Sequence, residues 1–134
     1  MKNVVDANIL FSALIAEEGK TREFILFSNV SLYAPEYLME EIEKYEETII
    51  KKSGLSKESI ETAKSIILSR INILPKSEFR NFMNKASKIC PDPNDEEYFA
   101  LVLKLECPLR SDDKKLKESG IKVLTTSEIL EQYS

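Results

Sequence analysis

Three aspartates stand where short apolar runs give way to helical patterns. Asp6 follows residues 2–5, Asp113 follows residues 109–110, and Asp95 opens the stretch 94–105. A fourth acid, Glu41, lies on a helical pattern shared with Glu40, Glu43, Glu46 and Glu47. In an open parallel sheet, ligands collect beyond the carboxyl ends of the strands. Carboxylates gathered there repel one another and cannot all stay ionised without a cation. An oxygen-only donor set suits Mg²⁺ or Mn²⁺. The chain has no histidine, which excludes a histidine general base and a histidine-rich zinc site. This combination points to metal-assisted phosphodiester chemistry.

Such acids need a sheet to hold them. Val4-Val5 reads as a buried parallel strand, and residues 8–17 carry Ile9, Leu10, Ala13 and Leu14 at helical spacing. Residues 21–28 predict a second helix with Phe24, Ile25 and Phe27 inward. Residues 31–34 predict a strand, and Pro35 is expected to open a helix that runs to Lys52 and stops near Gly54. Ser56 is the expected cap of a helix over 57–69. A strand is expected over 71–74 and a helix over 78–89. Asp92-Pro93-Asn94-Asp95 has the pattern of a helix start, with a cap, a proline in the first turn and an acid three residues on. A strand over 108–110, a short helix over 112–119 and a strand over 121–124 follow. Thr125-x-x-Glu128 is a capping box for the last helix. Strands alternating with helices predict a three-layer α/β/α fold with a parallel central sheet, one domain over 1–134.

Composition bounds the rest. At 134 residues the chain is long enough for a hydrophobic core. Its net charge of −4 provides no global attraction to nucleic acid, so a polyanion would need a local basic patch. Cys90 and Cys107 form no CxxC pair and read as reduced, buried thiols. The opening Met1-Lys2-Asn3-Val4-Val5-Asp6 does not read as a signal peptide, and no stretch is long and apolar enough for a membrane span. The expected setting is cytoplasmic.

Taken singly, each acid has a structural use that competes with a chemical one. Asp6 can cap the helix that follows it, and Asp95 can complete a capping pair with Asp92. Around the helix bearing Glu41, a buried stripe of Leu38, Ile42, Tyr45 and Ile49 leaves Glu41 and Glu46 on opposite flanks. The wheel does not choose between those two. Ser111 or Asp112 can cap the helix over 112–119, leaving Asp113 free. Arg110, Lys114, Lys115 and Lys117 cluster beside Asp113, and Lys20 and Arg22 open the second helix. All six are candidate phosphate contacts, with a solvated helix face as the plain alternative.

Read together, these residues resemble the PIN domain, a nuclease family. The resemblance rests on Val4-Val5-Asp6-Ala7-Asn8-Ile9-Leu10, Pro35-Glu36-Tyr37-Leu38-Met39-Glu40-Glu41-Ile42, Asp92-Pro93-Asn94-Asp95 with its helix, and Leu109-Arg110-Ser111-Asp112-Asp113-Lys114-Lys115-Leu116. The ending, Gly120-Ile121-Lys122-Val123-Leu124-Thr125-Thr126, fits as well. It implies a sheet ordered 3-2-1-4-5 and a quartet of Asp6, Glu41, Asp95 and Asp113 around Mg²⁺ or Mn²⁺, which selects Glu41 over Glu46. Asn8 and Ser111 match auxiliary polar positions of the family. Ala7 stands where many relatives carry a hydroxyl, and Asp112 where many carry Gly or Asn.

The resemblance implies a metal-dependent endoribonuclease whose products carry 5′-phosphate and 3′-hydroxyl ends. It also implies a homodimer. Its commonest setting is the toxin of a VapBC-type toxin–antitoxin pair, with an antitoxin protein as partner. A ribosomal-RNA-processing nuclease fits the same residues. A nucleic-acid-binding PIN-fold module without turnover is the rival from another class. A phosphoacceptor receiver is disfavoured, since Asp6 has no acidic neighbour and Ile73-Leu74-Pro75 ends without an acid. A dehalogenase-type phosphatase would require a second acid where Asn8 stands.

Overall fold

The computed structural model describes residues 1–15 and 19–133. The expected helical extension through 16 and 17, and the side chains of Lys20 and Phe27, lie outside that description. Among the described residues, five strands form one parallel sheet: β1 (Lys2–Val5), β2 (Ser31–Pro35), β3 (Ile71–Leu74), β4 (Leu109–Arg110) and β5 (Val123–Leu124). Their order is β3-β2-β1-β4-β5. Seven α-helices of the described residues accompany them: α1 (Ala7–Ile15), α2 (Lys20–Phe27), α3 (Tyr37–Ser53), α4 (Lys57–Leu68), α5 (Met83–Ile89), α6 (Glu96–Leu105) and α7 (Thr126–Tyr133). The architecture is the expected three-layer α/β/α arrangement.

β1 is central, so both its faces are covered, and Val4 and Val5 are buried. Helix α6 packs across β1, β2 and β4, with α5 beside it. Helix α1 packs on α2 and α3, and α2 on α4 and α7. Leu10, Leu14, Leu32, Phe99 and Leu109 join the strands in one core.

Several boundaries follow from local chemistry. Gly54 ends α3 in the left-handed region at φ 71°, where a side chain would be strained. Ser56 accepts from the Ser59 amide and caps α4. Thr125 and Glu128 form the expected reciprocal capping box at α7.

Three expectations change. Pro35 ends β2, paired with Leu74, and does not open α3; the Glu36 amide donates to the Leu74 carbonyl, so the missing proline N–H costs nothing there. The stretch 78–89 is not one helix. Phe79 is fully buried with φ −128°, and the chain turns around it in two short 3₁₀ segments, Lys76–Glu78 and Arg80–Phe82, before α5 begins. The helix expected over 112–119 is a 3₁₀ segment, Lys114–Glu118.

Candidate functional site

Asp6 leaves the end of β1 and is only 4 % exposed. Its Oδ1 accepts from the Ile9 amide at 3.0 Å, so it does cap α1. That one bond does not compensate its burial. Desolvation pushes the carboxyl from 3.8 up to about 6, with Asp112 and Asp113 adding repulsion and the Ser111 hydroxyl and Ile9 amide pulling back. Ser111 is itself fully buried at the end of β4, and its Oγ accepts from the Asp113 amide at 3.1 Å. It thereby ties the turn bearing Asp113 to Asp6.

Asp95 follows the start signal at Asp92. The Asp92 carboxylate accepts from the Asn94 amide at 2.9 Å, while the Asp95 carboxylate makes no capping bond. Its expected use in a capping pair is therefore absent. Burial, and then the charges of Asp92, Asp6 and Asp113, raise its carboxyl to about 6. The Tyr37 hydroxyl donates to Asn94 Oδ1 at 3.3 Å, linking this turn to the start of α3.

The two flanks of α3 have different surroundings. Glu41 faces Asp95 and accepts from the Tyr98 hydroxyl at 2.6 Å. Burial and the Asp95 charge raise its carboxyl, and the Tyr98 bond opposes them. Glu46 faces α4, with Lys64 4.0 Å away and Glu61 beside it. Tyr98 of α6 is a residue that no sequence motif singled out. It is 1 % exposed, and its hydroxyl holds Glu41.

Glu41, Asp95 and Asp113 line one cavity of about 600 Å³ between α1 and α3, with Asn8 on its α1 side. Asp6 lies deeper and acts there through its charge on Asp95. All four acids of the expected quartet thus belong to one electrostatically coupled region. Among the described residues, no three Cys, Asp or Glu side chains already stand close enough to share an ion.

The turn after β4 differs from expectation. Asp113 is itself the cap of the 3₁₀ segment, accepting from the Lys115 amide at 3.0 Å. Asp112 caps α7 instead, accepting from the Thr126 amide at 2.7 Å and its hydroxyl at 2.8 Å. The extra acid therefore serves a helix start.

The basic residues divide. Lys114 and Lys115 are exposed beside Asp113. Lys117 pairs with Glu128. Arg22 is turned inward, donating from Nε to the Ala13 carbonyl at 2.7 Å and from Nη2 to the Leu14 carbonyl at 3.2 Å, where it caps α1. Arg110 is fully buried, its guanidinium 4.1 Å from the centre of the Phe24 ring, and it offers no phosphate contact. β4 is an inner strand covered on both faces, so Arg110 is buried as Leu109 is, although its sequence neighbourhood reads as a basic patch. Both thiols are free and half-buried. No helix among the described residues is long and apolar enough to cross a membrane.

The fold is similar to a chain of VapBC2 from Rickettsia felis, solved bound to a DNA fragment from their promoter. The TM-score is 0.67 at 16 % identity, covering 93 % of this chain and 98 % of that one. No curated protein matches. A family model described as PIN domain matches residues 4–134. With that match over nearly its whole length, the chain belongs to the PIN domain family.

Proposed function

We propose that the chain is a divalent-metal-dependent endoribonuclease that hydrolyses phosphodiester bonds in single-stranded RNA, with Asp6, Glu41, Asp95 and Asp113 as its working acids. The observation that carries this reading is the pair of carboxyls raised to about 6, each partly by the charge of its neighbours, beside one open cavity. Uncompensated negative charge of this kind is what a cation relieves. The donor set is all oxygen and fits Mg²⁺ or Mn²⁺. Its side chains would have to draw together around the ion, and Glu41, Asp95 and Asp113 all face the cavity where it would sit.

A bound divalent ion supplies an activated water and charge neutralisation at the phosphate. The residues do the rest. Tyr98 holds the orientation of Glu41, and Ser111 holds Asp6 against the turn that carries Asp113. Asn8 presents a neutral polar group at the cavity. Lys114 and Lys115, exposed beside Asp113, are candidate phosphate contacts. No protein nucleophile is needed.

Within this reading we place the chain as the toxin of a toxin–antitoxin pair, in the cytoplasm and as a homodimer. A VapBC complex among similarly folded structures supports the partner, and the family resemblance supports the dimer. A ribosomal-RNA-processing role uses the same site. The test is cleavage of labelled single-stranded RNA, with Mn²⁺ or Mg²⁺ and in EDTA. Metal-dependent cleavage leaving 5′-phosphate ends is expected. Undiminished cleavage in chelator by nuclease-free protein overturns the mechanism. Binding without cleavage at every metal concentration makes the chain a non-catalytic binding module.

A further inference from the structure

The stripe of α3 that faces α1 does not end at Glu41. One turn on stands Tyr45, and near the end of the helix stands Lys52; both line the same cavity. Tyr45 belongs by spacing to the apolar stripe of α3, yet it is 41 % exposed. The half-buried Phe11 of α1, which lines the same cavity, meets its ring at 5.5 Å and 63° in an edge-to-face arrangement that restrains the tyrosine. The Lys44 ammonium lies 5.6 Å from the Tyr45 centroid. Lys44 and Lys52 are exposed, with no ion pair among the described residues. Along the helix axis Tyr45 lies about 6 Å beyond Glu41, and Lys52 about 10 Å beyond Tyr45. An exposed, braced aromatic ring between an acid cluster and a cation has the elements of a single-stranded nucleotide site: a π-face for a base and a positive charge for its phosphate.

We propose that the channel between α1 and α3 is a nucleobase subsite. One unpaired base stacks on Tyr45, displacing the Lys44 ammonium from the ring, and Lys52 takes a phosphate farther along the strand. This rests on the nuclease reading, and it deepens that reading by making substrate choice depend on an unpaired base beside the cleaved bond. Stacking on one ring tolerates any base, so the selection is for single strands over duplex.

The test uses the full chain and a short single-stranded RNA carrying 2-aminopurine, an abasic version of it, and a duplex of the same sequence. Binding is followed by anisotropy and stacking by quenching of the 2-aminopurine, and cleavage is measured separately with Mn²⁺. The Tyr45→Ala variant, checked for folding by circular dichroism, is expected to bind the single strand roughly ten- to hundredfold more weakly and to lose the quenching. Tyr45→Phe retains both. The abasic RNA should not distinguish wild type from Tyr45→Ala, and Lys52→Ala should reduce the salt slope by about one ion. If Tyr45→Ala leaves binding and quenching unchanged while metal-dependent cleavage persists, the subsite is wrong and the nuclease reading stands. If the wild type cleaves no RNA but quenching still depends on Tyr45, the subsite stands and the nuclease reading fails. If the variant binds RNA normally but no longer retains a protein partner, the channel is a protein surface and the proposal is overturned.

Discussion

Asp6→Asn is expected to stabilise the metal-free protein at neutral pH while abolishing cleavage. The aspartate is 4 % exposed, so solvent screening does little to soften the cost of ionising it. Its carboxyl is raised from 3.8 to about 6. Each tenfold change in proton affinity is worth about 1.36 kcal/mol, so the penalty is about 3 kcal/mol once the group is ionised. The sign follows from linkage. The folded protein holds this proton more tightly than the unfolded chain, so stability is greatest below the unfolded value and falls as pH rises toward 6. By the same relation the penalty is only about 0.5 kcal/mol near pH 4 and complete near pH 7.5. Asparagine keeps an oxygen to accept from the Ile9 amide, so the cap survives. Urea unfolding in EDTA should therefore show the variant more stable by up to about 3 kcal/mol near pH 7.5, or roughly 10 °C in Tm, with most of that gain gone near pH 4. Adding Mn²⁺ should stabilise the wild type by mass action, about 2.7 kcal/mol at a hundredfold excess over Kd, and the variant far less. No gain at neutral pH, or the same gain at both pH values, would refute the reasoning.

Three further outcomes are expected. Glu41→Gln should lower the initial cleavage rate by orders of magnitude while Glu46→Gln leaves it near wild type; equal loss in folded variants would remove the distinction drawn from Tyr98 and Lys64. Arg110→Met should keep the packing on Phe24 and raise stability by about 1–3 kcal/mol in denaturant titration, because burial of a guanidinium with three unpartnered nitrogens outweighs its attraction to Asp6 and Asp112. Clear destabilisation would mean that the cation–π contact dominates. Asp112→Ala should cost about 1 kcal/mol by loosening the start of α7. Mn²⁺ affinity by calorimetry should change little, and strong loss of metal would place Asp112 in the ligand set instead of Asp113.

Much of this molecule was readable from the chain because the relevant signals are local. The strand–helix alternation, the Ser56 and Asp92 caps, the Gly54 stop and the Thr125–Glu128 box each involve residues a few positions apart, and the structure keeps all of them. The absence of histidine and the acids after β1 and β4 likewise needed no tertiary information to suggest a metal-dependent chemistry. The sheet order came from family resemblance, since local pattern says which segments are strands and not which strands adjoin.

What only the tertiary structure decided concerns partners far apart in sequence. The helical wheel leaves Glu41 and Glu46 equivalent, and they separate because Tyr98 reaches one while Lys64 and α4 face the other. Arg110 sits in a basic stretch, yet β4 is covered on both faces and the ring of Phe24 meets the guanidinium inside the core. Tyr45 fits an apolar stripe, but helix α1 covers only part of that face and leaves the ring in the cavity. Asp112 and Asp113 are adjacent in the chain, and the start of a helix fourteen residues on claims one of them. A residue's own periodicity gives the direction of its side chain along an element. Which neighbour lies there, whether apolar, charged or water, is set by how the elements pack.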